Sequence, residues 1–299
     1  MRLDDFDDGI RVEDQRGGGF GGGSGGGGGI FGLLFGLLPM LLGRKMGCGT
    51  VLIIAVVGYF LFSSGGLSLG NLASSGNGSQ NQAAGTDTSS SCSIDAGSKE
   101  ACDTLSSLDK TWGQMIQNYQ RPKLVFYSNS GQSGCGAAQS AMGPFYCPSD
   151  QGVYLDTAFF AQMDQQMGAG GDFARRYVVA HEVGHHIQNV TGTADQVRRM
   201  QSQVSKADGN QLQVRMELQA DCYAGVWAAK NSAGIEPGDI EEGMTAANAI
   251  GDDTLMKQAG QRPVESMFTH GTSEQRMAAL KKGLQSGNPN SCNYFEGIL

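Results

Sequence analysis

The segment His181-Glu182-Val183-Gly184-His185 has H-E-x-x-H spacing. Two imidazoles four positions apart share one face of a helix, a turn apart. They can offer ring nitrogens to a single zinc ion at about 2.0–2.1 Å. Glu182 lies one position on, beside the coordination position that a catalytic zinc keeps open. There it can take a proton from zinc-bound water and later deliver it to a leaving amine. Zinc lowers the pKa of that water to about 7, so hydroxide becomes available at neutral pH. The chain has four histidines, three of them between His181 and His186 and the fourth at His270.

Such a motif arises by chance in roughly one chain of this length in a hundred, so residues elsewhere must support it. A catalytic zinc takes three protein ligands. Downstream, Glu217 and Asp221 are four apart in Arg215-Met216-Glu217-Leu218-Gln219-Ala220-Asp221 and share a face of a second helix. Glu217 has the length to reach the ion as third ligand. Asp221, one turn on, can then accept the free N–H of a ligating histidine; the competing assignment makes Asp221 the ligand. His270 precedes a helix start in Thr269-His270-Gly271-Thr272-Ser273-Glu274-Gln275-Arg276. It is a candidate donor to the oxyanion of a tetrahedral intermediate, against the alternative of a capping-loop histidine. Thr272 or Ser273 could cap that helix, with Gln275 or Arg276 in its first turn. His186 is about 100° round the helix from His185 and reads as a residue supporting a ligand from behind or as a packing residue.

Helices must position these groups. Gly171-Asp172-Phe173-Ala174 can start the H-E-x-x-H helix, with Asp172 as a candidate N-cap. Ala174, Tyr177, Val178, Val183 and Ile187 then fall near helical period. Further helices are expected over residues 99–118, 157–167, 193–207, 211–230, 237–250 and 273–284. Strands are expected over 123–128, 141–147 and 152–156, the last two paired around Pro148-Ser149-Asp150. Strands before helices argue for an α+β domain, mostly helical with a small antiparallel sheet.

The ordered segments Cys135-Gly136, Gly143 to Pro148, Val153 to Asp156, His181 to Gln188, Glu217 to Trp227, Ile250-Gly251-Asp252-Asp253 and Thr269 to Arg276 resemble the neutral zinc metallopeptidases of bacteria. The resemblance covers roughly residues 95–299. It implies a zincin-like fold and zinc-dependent peptidase activity. It maps His181, His185 and Glu217 onto the zinc ligands and Glu182 onto the general base. It assigns no role to Asp252 or Asp253. In a zincin-like architecture an edge strand lies beside the active-site helix, and a substrate backbone adds to it as an extra strand.

Composition divides the 299-residue chain. Of 47 glycines, the densest run is Gly17 to Gly29, broken only by Phe20 and Ser24. A tract of this kind packs no core. With the mixed charges before it, residues 1–29 read as a disordered cytoplasmic tail. Residues 30–45 form a short apolar interfacial segment. Residues 46–63 read as a transmembrane helix, since Met46 to Phe62 carries no charge and is about 25 Å long as a helix. Arg44 and Lys45 precede it and no basic residue follows before Lys99, so the positive-inside rule sends the C-terminal part outward. Residues 64–97 read as a flexible polar linker, and 98–299 as the metallopeptidase domain. The expected location is the bacterial inner membrane, single-pass, with an extracytoplasmic catalytic domain.

Beyond the span lie six cysteines: Cys92, Cys102, Cys135, Cys147, Cys222 and Cys292. An even count fits an oxidising compartment. Six cysteines allow 15 pairings. We prefer Cys135–Cys147, which closes a short hairpin-like loop, with Cys92–Cys102 and Cys222–Cys292. The net charge of −8 and the lack of a basic stripe give no case for nucleic acid. The expected function is a membrane-anchored zinc metallopeptidase acting on peptide or protein substrates. The alternatives are a zinc amidase acting on a cell-wall amide, or a non-catalytic zinc-containing binding module.

Overall fold

The computed structural model describes residues 1–3, 6–17 and 88–298. In chain order these residues form strand β1 (Arg11–Asp14), helices α1 (Thr88–Cys92) and α2 (Ala96–Met115), and strands β2 (Lys123–Phe126), β3 (Ser130–Ser133), β4 (Gly136–Gln139), β5 (Phe145–Cys147) and β6 (Gly152–Leu155). Seven helices follow: α3 (Ala158–Gln166), α4 (Asp172–Val190), α5 (Thr193–Gln201), α6 (Lys206–Lys230), α7 (Asp239–Ala249), α8 (Asp252–Gln258) and α9 (Ser273–Ser286). The α+β, mostly helical reading holds.

The sheet differs from the antiparallel one expected. Its order is β1-β2-β6-β5, and only β5 runs antiparallel to its neighbour. Between β2 and β6 the chain makes the separate β3–β4 hairpin and then β5. That long connection lets β6 return parallel to β2. The pairing of β5 with β6 around residues 148–151 is the one foreseen, and it leaves β5 at the sheet edge.

The N-terminal residues are a correction. They were expected to be disordered, yet β1 pairs with β2 from Arg11↔Lys123 to Asp14↔Phe126. Their charges, which argued against a core, serve as tertiary links. Glu13 pairs with Lys123 at 2.8 Å and Asp7 with Arg121 at 2.8 Å. Arg16 bonds Asp14, Asp95 and the Ser91 carbonyl, and lies 4.5 Å over the Phe126 ring. Met1 and Ile10 are buried. The Met1 ammonium bonds Asp172 and Asp239 at 2.9 and 2.7 Å. Residues 1–17 and 88–298 therefore belong to one folded unit. The linker expected to run to residue 97 ends sooner: α1 and the Cys92–Cys102 disulfide tie residues from Thr88 onward to α2. The other disulfides are Cys135–Cys147 and Cys222–Cys292, as preferred from the sequence. The expected span and interfacial segment lie outside the described residues. Among those described, no helix is long and apolar enough to cross a membrane.

Helix α4 lies at the centre, packed on α2, α5, α6, α7 and the β5–β6 side of the sheet. Its capping position is held by Gly171 at φ 116°, not by Asp172 as expected; that backbone angle suits glycine, and it leaves Asp172 in the first turn to meet the Met1 ammonium. Helix α6 is sandwiched between α4 and α9. Both contacts depend on missing side chains. A Cβ on Gly184 of α4 would lie 2.9–3.0 Å from Cα, Cβ and the carbonyl oxygen of Ala220 on α6. A Cβ on Gly283 of α9 would overlap the Cys222 carbonyl from the other side. The core joins Leu105, Leu108 and Trp112 of α2 to Leu124 and Phe126 of β2, Tyr177 and Val183 of α4, and Trp227 of α6.

Candidate metal centre

The crossing of α4 over α6 brings His181, His185 and Glu217 together, with one donor atom of each within 4.8 Å of the others. Glu217 Oε2 lies 3.1 Å from His181 Nε2 and 3.5 Å from His185 Nε2. Atoms bound at about 2.0–2.1 Å to one tetrahedral ion are roughly 3.3 Å apart. The residues present thus fit a zinc ion. Gly184 makes this possible, because it lets α6 approach α4 one turn from Glu217.

Each of the three candidate ligands is held from behind. His181 Nδ1 donates to Asp221 Oδ1 at 2.7 Å, His185 Nδ1 to Gln188 Oε1 at 2.9 Å, and Gln213 Nε2 donates to Glu217 Oε1 at 2.9 Å. The outer atom of every ligand is occupied, so Nε2, Nε2 and Oε2 are left to converge. Gln188 is itself fixed by the Met216 carbonyl and Gln219. Sequence reasoning missed Gln188 and Gln213; their spacings of three and four from a ligand were the available signal.

Asp221 takes the outer position proposed for it. It is fully buried and accepts from Tyr177 Oη at 2.6 Å and from Arg276 Nη2 and Nε at 2.8 and 2.9 Å. Burial would raise its pKa, but Arg276 and His181 hold it down to about 2. Arg276 was foreseen only as a residue of a helix's first turn. Thr272 caps that helix in a full capping box with Gln275, which sets Arg276 on the first turn facing α6. Burial opposes a proton on His181, yet Asp221 and Glu217 raise its pKa to about 10. In the metal-free protein a proton therefore occupies the centre of charge that a cation would fill.

Glu182 is buried and forms no hydrogen bond to a described residue. Burial raises its pKa and Glu217 adds to the rise, while the two imidazoles pull it down. It lines a cleft of about 570 Å³ with His181, His185, Glu217, Arg276 and His270. Apolar side chains complete the walls, among them Phe145, Phe159, Met167, Val197 and Met216. The cleft runs past Phe145 and Tyr146 of the edge strand β5. His186 does not join the site. It is buried, accepts from Tyr146 Oη, and donates Nε2–H to the Gln120 carbonyl at 2.6 Å. Burial lowers its pKa to about 4, so it stays neutral and fixes β5 against α4. His270 does reach the cleft.

A family model described as "Putative neutral zinc metallopeptidase" matches residues 1–295. The chain belongs to this family. Membership implies a zinc cofactor, and the match includes the N-terminal strand. The uncharacterized protein YpfJ of Escherichia coli K12 is 44% identical over 257 residues, covering 84% of this chain and 87% of its own. The uncharacterized protein Mb2605 of Mycobacterium bovis is 42% identical over 205 residues, covering 64% and 68%. No solved structure matches the chain.

Proposed function

We propose that this member of the zinc metallopeptidase family hydrolyses peptide bonds, in a zincin-like arrangement. The observation that carries the reading is the convergence of His181 Nε2, His185 Nε2 and Glu217 Oε2 beside an unpartnered, buried Glu182. A structural zinc site closes with a fourth ligand and has no use for a base. Zinc, when bound, supplies a Lewis acid that lets water act as a nucleophile near neutral pH. The chain's own residues do the rest. A substrate backbone adds to the free edge of β5, which carries its scissile carbonyl into the cleft. The apolar walls take the flanking side chains. Glu182, buried beside the three donors and lining the same cleft, removes a proton from the attacking water and returns it to the leaving nitrogen. The test is cleavage of a peptide library before and after chelation. Cleavage that stops with chelator and returns with zinc is expected; zinc-loaded protein that cleaves no member would refute the reading.

We further infer that the folded unit, residues 1–17 together with 88–298, lies outside the cytoplasmic membrane. Three disulfides support the outer location. The β1–β2 pairing supports placing residues 1–17 on the same side as the rest of the unit. With Cys48 replaced by Ser, an impermeant maleimide should label both D8C and S205C on intact cells. Labelling of S205C but not D8C on intact cells would restore a single crossing.

A further inference from the structure

The segment Ile250-Gly251-Asp252-Asp253 supplies no donor to the candidate zinc site, yet the fold puts it against the His270 loop. Asp252 makes five bonds to that loop. Its Oδ2 accepts the backbone N–H groups of Thr269, His270 and Gly271 at 2.7, 2.6 and 3.0 Å. Its own N–H donates to the Gly271 carbonyl at 2.9 Å. Its Oδ1 lies 3.1 Å from His270 Nδ1. Three amides on one carboxylate oxygen fix a loop that would otherwise be mobile around Gly271, at φ 89°. With Nδ1–H given to Asp252, the ring presents Nε2 as its free edge. That atom makes no hydrogen bond to a described residue, the side chain is half exposed, and the ring lines the same cleft as Glu182 and the three ligands.

Asp253 does a different task. Its Oδ1 accepts from the Ser273 backbone N–H at 2.8 Å and from Ser273 Oγ at 3.1 Å, at the start of α9. That helix carries Arg276, the partner of Asp221.

We propose that Asp252 is a positioning residue for the reaction: it holds the His270 ring so that Nε2 faces the cleft as a hydrogen-bond donor to the oxyanion formed when a peptide carbonyl is attacked. The proposal rests on the peptidase reading for the reaction, but not for the ring's orientation. The carboxylate fixes the ring in two ways. Geometrically, it leaves one rotamer and one free nitrogen. Electrostatically, the same contact favours the doubly protonated ring, in which Nε2 carries the proton that an oxyanion needs. A carboxylate behind an imidazole plays this orienting part in catalytic sites generally.

The test combines a kinetic cycle with a ring-nitrogen spectrum of zinc-loaded protein. H270A should lower kcat about 10²-fold, the loss typical of one oxyanion donor. D252A should lower kcat about 10–100-fold with KM changed little, as loss of an orienting partner does. In the H270A background D252A should have no further effect on kcat, because nothing is left to position. Equal losses in both backgrounds would overturn the proposal. Four histidines make the nitrogen spectrum assignable. Wild type should show His270 with Nδ1 protonated and hydrogen-bonded; D252A, or the near-isosteric D252N if D252A does not fold, should lose that signal. An unchanged signal would overturn the placement even if the peptidase reading stands. Absence of peptide cleavage by wild type would sink the peptidase reading and with it the oxyanion role, while the spectrum still decides the orienting role. D253A is the control: it should lower thermal stability and leave the His270 signal in place.

Discussion

Gly184→Ala should separate stability from intrinsic helix preference and carry the difference into zinc affinity. An added Cβ would stand 2.9–3.0 Å from three atoms of Ala220, where carbon atoms rest at about 3.5–4.0 Å. Helix α6 would have to retreat by roughly 0.5–1 Å to restore that spacing. It cannot retreat freely, since Gly283 of α9 presses against Cys222 from the far side and the Cys222–Cys292 disulfide holds that end. Overpacking of this kind costs about 1–3 kcal/mol, and opposed backbones put Gly184 at the upper end. Alanine returns about 1 kcal/mol of helix propensity, leaving a net loss of about 2 kcal/mol. For a folded unit of this size that lowers Tm by about 4–8 °C. Ala220 is one turn from Glu217, and Gly184 stands between the two histidines, so the shift falls on the ligand distances. Zinc affinity should drop about 10–100-fold, as when a ligand's support is removed. Gly209→Ala is the contrasting case. It lies in α6 with nothing nearer than 4.0 Å to its added Cβ, so it should raise stability by up to about 1 kcal/mol. Thermal unfolding and competition with a chelator measure both effects. A Gly184→Ala protein with wild-type Tm and zinc affinity would refute the close-approach argument.

Glu217→Ala should abolish stoichiometric zinc, whereas Asp221→Asn should retain zinc with about 10–100-fold weaker affinity and lose about 3–5 kcal/mol of stability because Arg276 stays buried with a weakened partner. Zinc analysis and denaturant unfolding distinguish the two; the reverse pattern would make Asp221 the ligand. Because the folded pKa of His181 in metal-free protein is raised from 6.5 to about 10, its proton stabilises that form fully below pH 6.5, and the stabilisation fades as pH rises through 10. Zinc must displace the proton, so calorimetry in buffers of different ionisation enthalpy should show proton release at pH 7, with affinity climbing as pH rises; no release would contradict the assigned charge state. Asp221 has the opposite sign. Its pKa falls from 3.8 to about 2, so its stabilisation is complete above 3.8 and disappears as acid brings the pH through 2, an acid limb that Asp221→Asn should flatten. His186→Phe should cost about 1–3 kcal/mol through the lost bonds to Tyr146 and Gln120 and leave zinc stoichiometry unchanged.

The chemistry was more legible than the scaffold. His181, Glu182 and His185 announce themselves because helical period turns a spacing of four into a shared face. Glu217 and Asp221 follow by the same rule, and the structure turns Glu217 toward both imidazoles and Asp221 toward Tyr177 and Arg276. The N-terminal strand was hidden because Arg11-Val12-Glu13-Asp14 has too few apolar residues to signal burial. Its order comes from β2, over a hundred positions away, and from ion pairs that sequence cannot match up. The parallel sheet was missed for a related reason: alternation marks a strand but says nothing about the direction of its neighbour. Gln188, Gln213 and Arg276 were passed over because glutamine and arginine on a helix are usually solvated, and only the crossing of α6 with α4 and α9 turns them inward. Asp252 sat in a recognised segment, but its partner His270 meets it only once α8 and the loop before α9 are folded together.

The most direct test of the central claim is zinc content and peptide turnover measured on the same preparation of Glu182→Gln. Glutamine keeps the shape of Glu182 and cannot take a proton, and Glu182 is not a ligand. One zinc per chain with turnover reduced by about 10²-fold or more is predicted. Turnover at the wild-type rate, or loss of zinc together with activity, would contradict the assignment of Glu182 as the base beside a zinc held by His181, His185 and Glu217.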